Sequence, residues 1–356
     1  MQATQAIHHN SFDILRLLLA SCVIVTHSYA VLGFEEHDFL YVISNGQTKF
    51  SALAVDSFFA ISGYLVTISL YNSKSIFQYT FKRALRIVPG FWVAVLLSVT
   101  LLAVLTSDTP LQSLFSKEAA QYTINNLFLR THYNIPGILD GRAINGSLWT
   151  IPYEAFLYVL IIPLWWMSGL KKRRTIVLAI LSLVIILHFF YREKLISQSL
   201  PVIWLNLGEL SRLACIFLMG ALLATENELL LKNRMIAVVC ATGLVAIGFV
   251  MNIYHYIAFL CVPYLIIHLG LMYNKTISRV TSRGDYSYGI YLWGFPIQQA
   301  LVFFTDIEEP QYLTLVALPI AYVFGFMSWH GIEHPFLKLK TLGFSLTPRR
   351  QTEQTD

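Results

Sequence analysis

Ten stretches of this sequence are each roughly 20 residues long and mostly apolar, the length an α-helix needs to cross the hydrocarbon core of a bilayer. They fall near 12–32, 50–70, 88–105, 148–167, 175–191, 205–225, 235–251, 256–272, 286–304 and 312–329. Such a chain is confined to one fold class. In lipid every backbone N–H and C=O must be paired within its own helix or a closed barrel, so long apolar runs become spanning helices. The expectation is an all-α, polytopic membrane helical bundle of about ten transmembrane helices. Composition agrees: 56% of residues are hydrophobic and 13% charged, where soluble domains carry about 25% charged residues.

Loop charge orients the bundle, because cytoplasmic loops collect Lys and Arg. With the N-terminus inside, the inner segments hold 17 Lys and Arg and the outer loops six. The inner clusters are Lys74 to Arg86, Lys171 to Arg174, Lys232 with Arg234, Lys275 to Arg283, and Lys338 to Arg350. The outer loops carry the acidic groups Glu35-Glu36-His37-Asp38 and Asp306, Glu308 and Glu309. Both termini are therefore expected in the cytoplasm, with 1–356 forming a single membrane domain. No cleavable signal peptide is expected, since the first apolar stretch lacks a basic leader and contains Arg16 and His27. The longest non-spanning stretch, 106–147, lies outside, and a loop of that length is functional or disordered. Four cysteines stand singly and read as small apolar residues. Neither a metal site nor a nucleic-acid partner is expected.

Ionisable groups inside spans are costly and face a cavity or a partner. Here they are Asp13, Arg16, His27, Asp56, Glu154, Glu209 and Arg212. Arg16 and His27 are eleven residues apart, which at 100° per residue is three turns plus about 20° and a rise of about 16 Å. Both side chains thus share one face, Arg16 towards the cytoplasm and His27 beyond the midplane. Two readings stay open. Either Arg16 is a cationic anchor and His27 a general base, suited by an unperturbed pKa of about 6.5, or Arg16 pairs with Asp13 and His27 merely bonds another helix. Arg83 and Arg86, at i, i+3 before the third span, fit either bidentate phosphate binding or orientation charge. Glu154, at the outer end of the fourth span, is placed to hold His27 or to bind a sugar hydroxyl. Glu209 and Arg212 should satisfy each other. Asp56 precedes a run whose Ser62 and Gly63 suit close helix packing. His188, His268 and Glu333, near span ends, read as snorkelling to the interface.

Six motifs then appear in order. They are Phe12-Asp13-Ile14-Leu15-Arg16 through His27; Ser57-Phe58-Phe59-Ala60-Ile61-Ser62-Gly63-Tyr64; Arg83-Ala84-Leu85-Arg86; Asn145 to Glu154, with Leu148-Trp149; Tyr286 to Pro296; and Ile332-Glu333-His334-Pro335. Together they resemble the acyltransferase-3 family of bacterial polysaccharide O-acetyltransferases, end to end. The resemblance implies a multi-pass protein of the bacterial inner membrane. It implies cytoplasmic acyl-CoA, usually acetyl-CoA, as donor and a hydroxyl of a polysaccharide or lipid-linked glycan as acceptor. It gives His27 the general-base role, with Arg16 supporting it or the donor, and gives Arg83 and Arg86 the coenzyme A phosphates; Glu154 completes the expected catalytic set. Asp56, Ser62, Trp149 and Tyr291 are the expected substrate-binding residues. The chain departs from the commoner pattern at Gly294, where many members have histidine, and an appended hydrolase-like domain is not expected. The competing readings are a proton-coupled transporter using the same charged residues, and a glycan-assembly scaffold.

Overall fold

All ten apolar stretches are helical in the computed structural model, which describes residues 11–166, 173–200, 204–225, 234–272 and 284–342. In chain order they are α1 Phe12–Val31, α2 Phe50–Tyr71, α3 Ile76–Thr106, α4 Thr150–Leu160, α5 Arg173–Ile196, α6 Leu207–Ala224, α7 Arg234–Met251, α8 Tyr254–Leu271, α9 Ser287–Phe304 and α10 Pro310–Ser328. Seven are long and apolar enough to cross a membrane by length and composition alone: α1, α2, α3, α5, α6, α8 and α10, the last together with the turns that follow it to Lys340. The chain is a polytopic helical membrane protein. Among the described residues, extended structure amounts to a two-residue ladder, Ser199–Leu200 with Leu205–Asn206, and one isolated bridge. The basic residues Lys171, Lys172, Lys232, Lys275, Arg279, Arg283, Arg349 and Arg350 lie outside the described residues.

Two spans differ from expectation. Helix α3 begins at Ile76 rather than near 88, capped by Ser75, whose hydroxyl accepts from the Gln78 N–H at 3.1 Å. Arg83 and Arg86 therefore project from a helix and not from a loop. The fourth span is broken. Asn145 caps a 3-10 turn at Gly146–Trp149, α4 follows, and Pro163 opens a separate short helix ending at Trp166. Eleven residues rise only about 16 Å, so α4 alone does not cross the bilayer.

Helix α2 lies at the centre, the most enclosed of the spanning helices. It meets α6 through two glycines facing opposite ways. A Cβ on Gly63 would sit 2.0 Å from the Phe217 carbonyl oxygen, and one on Gly220 would sit 2.2 Å from that of Ala60. Backbones that approach this closely exclude any side chain. On the periphery, α5 and α7 expose Leu183, Ile186, Phe190, Val239, Ile247 and Val250, the surface that lipid covers.

The long stretch 106–147 is an ordered cap. It contains short helices at Pro110–Leu114 and Lys117–Leu127 and buries Tyr122, Ile135, Ile138 and Ile144 completely. The Asn126 amide donates to the carbonyls of Tyr122 and His132, both at 3.0 Å. Beyond it, the Asn145 amide donates to the Leu292 carbonyl at 2.8 Å, fastening the cap's end to α9.

Candidate active site

Two adjoining cavities lie inside the bundle. One, of about 350 Å³, is lined by Arg16, Ser62, Arg83, Arg86, Glu154, Tyr158, Asp285 and Lys340 among others. The second, of about 530 Å³, is lined by His27, Lys49, Asp56, Trp149, His188, Glu209, Arg212 and Tyr254. Val55 and Tyr291 line both. Arg16 and His27, expected on one face of α1, each line one of the two adjoining cavities.

The arginine-lined cavity is built around Asp285, just ahead of α9. Its Oδ2 accepts from Arg86 of α3 and, at 3.3 Å, from Arg16 of α1, and its Oδ1 accepts from the Ser287 hydroxyl. Burial works to raise the Asp285 carboxyl, but the Arg86 and Arg16 guanidiniums outweigh it and hold the group below the usual carboxylate range. Arg86 also donates to Glu333 at 3.2 Å and lies over the rings of Tyr288 and Trp329. A π-helical turn at Trp329–Glu333 turns Glu333 inward, where it is 2% exposed and accepts from Ser328 at 3.0 Å. Glu333 is thus an ion-pair partner and does not snorkel. Arg16 approaches Asp13 only to 3.9 Å, so Asp285 is its closer carboxylate.

The expected phosphate pair divides. Arg86 is committed to two carboxylates. Arg83 donates to the Ser69 hydroxyl at 3.4 Å, and among the described residues its enclosed Nε has no hydrogen-bond partner. Lys340 lines the same cavity, and among the described residues neither Lys340 nor Arg83 is paired with a carboxylate. These are the cations available to an anionic ligand.

Glu154 does not hold His27. Its carboxylate accepts from the Ser62 hydroxyl at 2.9 Å and from the Tyr158 phenol, and it faces the arginine-lined cavity. The boundary between cavities on this segment falls between Trp149 and Thr150, and Glu154 lies a turn past it. Ser62 is bound to Glu154 on the same side, so of the expected substrate-binding residues only Asp56, Trp149 and Tyr291 reach the histidine-lined cavity.

In that cavity the His27 Nδ1 is enclosed and unpartnered, and the ring meets Phe295 edge-on, with centroids 5.2 Å apart. Asp56 pairs with Arg212, which also donates to Glu209 at 2.9 Å, so the expected Glu209–Arg212 pair is part of a triad. Trp149 stands edge-on to Tyr153 at 5.7 Å. Lys49 pairs with Glu36; burial, and then the Arg212 charge, holds its ammonium below the usual lysine range. Beside Lys49, the start of α2 is held by Asp38, a fully buried carboxylate that accepts from Thr26 at 2.5 Å, from the Phe50 N–H at 2.8 Å and from the Tyr41 N–H at 3.0 Å. A Cβ on Gly294 would sit 2.8 Å from the Ile24 side chain, so a larger residue there requires Ile24 to shift.

Asp285, Lys340, Asp38 and Val55 are the site residues that sequence reasoning missed. Asp285 directly precedes the Tyr286 motif, and that adjacency was the available signal.

Fold and site together define a polytopic membrane protein with a buried imidazole in one cavity and unpaired cations in the next. A profile described as an acyltransferase domain matches residues 9–329, and the chain belongs to the acyltransferase-3 family. Among curated proteins it is 29% identical over 348 residues to the "O-acetyl transferase" of Shigella phage Sf6, covering 95% of this chain and 98% of the relative. It is 28% identical over 368 residues to "Nodulation protein 10" of Rhizobium leguminosarum bv. viciae, covering 96% of each. No solved structure matches. The protein is an acyltransferase, and the carrier and scaffold readings give way to that activity.

Proposed function

We propose that this protein is an inner-membrane O-acetyltransferase that moves an acetyl group from cytoplasmic acyl-CoA to a hydroxyl of an extracytoplasmic or exported glycan. The observation that carries this is the junction of two chemically different cavities: Arg83 and Lys340 open one without carboxylate partners, and His27 opens the other. Donor phosphates fit the first, because guanidinium and ammonium groups bind phosphate oxygens through charge-assisted bonds. A polar acceptor fits the second, where the Asp56–Arg212–Glu209 triad offers donors and acceptors for sugar hydroxyls and Trp149 offers an aromatic face.

His27 acts as general base. Its Nδ1 is enclosed, so Nε2 is the nitrogen left to meet a hydroxyl. As it takes the proton, the hydroxyl oxygen bonds to the thioester carbonyl carbon, the C–S bond breaks, and the proton held by His27 passes to the departing thiolate, which leaves as the thiol and restores the neutral imidazole. Arg16 holds Asp285 in place and faces the donor. Ser62 and Glu154 line the donor's path. Further support comes from the phage relative, whose name is that of an O-acetyl transferase.

The test is transfer of label from radiolabelled acetyl-CoA to a co-supplied polysaccharide by purified protein in vesicles. The expected result is label on the polysaccharide. Uptake of label into the vesicle lumen without transfer would overturn the proposal.

A further inference from the structure

The lining of α1, α2, α4 and α9 marks where one cavity gives way to the other. On α1, Arg16 lines the arginine-lined cavity, and Val23 and His27 line the other. On α2, Ser62 and Phe58 line the first and Asp56 and Ser51 the second, with Val55 in both. Trp149 gives way to Thr150 at the start of α4, and on α9 Tyr288 faces the first cavity only, while Tyr291 faces both. Val55 and Tyr291, which line both cavities, form the neck between them.

We infer that Val55 and Tyr291 are the acyl-size filter of this enzyme, restricting the transferred group to acetyl; this rests on the donor and acceptor assignment proposed above. Although each residue lines two cavities, Val55 is only 5% exposed and Tyr291 7%, so the walls converge on them. Tyr291 is fixed. Its phenol donates to the Ser147 carbonyl at 2.8 Å, shares a 2.6 Å hydrogen bond with the Thr150 hydroxyl, and its ring meets that of Phe58 edge-on with centroids 5.9 Å apart. Swinging it aside would leave buried polar groups unsatisfied. Val55 is β-branched and has essentially one rotamer on a helix, so the opposite wall does not yield either.

The chemistry at this level fits an acyl group and nothing larger. Charged side chains line the walls on both sides, but the neck presents two methyls and a ring whose hydroxyl is already bonded. A short, uncharged acyl group can enter it, whereas the phosphates of the donor stay with Arg83 and Lys340. In a rigid apolar neck each added methylene of the acyl chain meets fixed atoms, and discrimination by one methylene is on the order of 10- to 200-fold.

The experiment compares acetyl-, propionyl- and butyryl-CoA as donors for purified protein in nanodiscs, with donor binding measured by calorimetry in parallel. Wild type should transfer acetyl about 100-fold faster than butyryl. Val55→Ala should shrink that ratio at least about tenfold, and Tyr291→Phe, which unpins the ring, should shift it the same way. Val55→Phe should abolish acetyl transfer while acetyl-CoA still binds within about twofold of wild type, because the phosphate cations are untouched. Wild-type use of butyryl-CoA equal to acetyl-CoA overturns the filter, as does a ratio that neither Val55→Ala nor Tyr291→Phe moves. Loss of donor binding in Val55→Phe marks a folding failure, and the other two variants then decide. Absence of any transfer by wild type strikes instead at the donor and acceptor assignment.

Discussion

Arg16 of α1 reaches within 3.3 Å of Asp285, joining the first membrane helix to the residues just ahead of the ninth, 269 positions later. Arg86 grips the same oxygen, so one carboxylate bridges two guanidiniums. Removing one partner from a buried ion pair costs about 3–5 kcal/mol, because the remaining charge is left uncompensated. Asp285→Asn is therefore expected to lower the folded fraction sharply, read as a lowered melting temperature in detergent and reduced membrane level. A melting curve matching wild type would refute the hub.

The same hub sets an acid limit. The arginines hold the folded Asp285 carboxyl below its usual range, so its contribution to stability is complete above the unfolded value of about 3.9 and is lost as pH falls below it. The melting temperature of wild type should drop on acidification below about pH 4. The drop should be smaller in Asp285→Asn, and equal slopes in the two proteins would count against the account.

Arg83 and Arg86, one helical turn apart, should behave differently. Arg83→Ala is expected to leave the fold intact and weaken acetyl-CoA binding by about 10- to 100-fold, the worth of a charge-assisted hydrogen bond. Lys340→Ala should do the same. Arg86→Ala should instead lose folded protein, since it strands Asp285 and Glu333. Calorimetric binding alongside thermal melts separates the two effects, and a folded Arg86→Ala protein that merely binds donor weakly would reverse the assignment.

The glycine contact between α2 and α6 gives a stability test independent of chemistry. A Cβ at Gly63 would press on the Phe217 carbonyl, so Gly63→Ala should destabilise by about 1–3 kcal/mol. Gly243, with nothing within 4 Å of its Cβ position, is the control and should tolerate alanine. A melting temperature for Gly63→Ala at or above wild type would be inconsistent with the packing.

What could be read from the sequence was local. Ten helices follow from the length of apolar runs, and the common face of Arg16 and His27 follows from helical periodicity. The break around α4 was hidden because a single Pro163 leaves the run that contains it apolar enough to resemble one span. The early start of α3 was hidden because its first turns are not apolar enough to resemble a span. Partners were the least legible. Arg86 finds Asp285 and Glu333 at separations of 199 and 247 residues, and no local pattern announces a pairing that tertiary packing creates. Glu154 and His27 both sit towards the outer side of their spans, which makes holding His27 one of two readings of Glu154, yet the two residues line different cavities. Gly294 shows the opposite case: the departure is visible in the sequence, and the Ile24 side chain packed against it is visible only in the fold.

The central claim is that His27 activates the acceptor from a cavity separate from the donor's. The most direct test is His27→Ala, reading glycan O-acetyl content and acetyl-CoA binding on the same preparation. The account predicts transfer reduced by about 100- to 10,000-fold, with donor binding unchanged and the protein still in the membrane. Wild-type O-acetylation in that variant would contradict it.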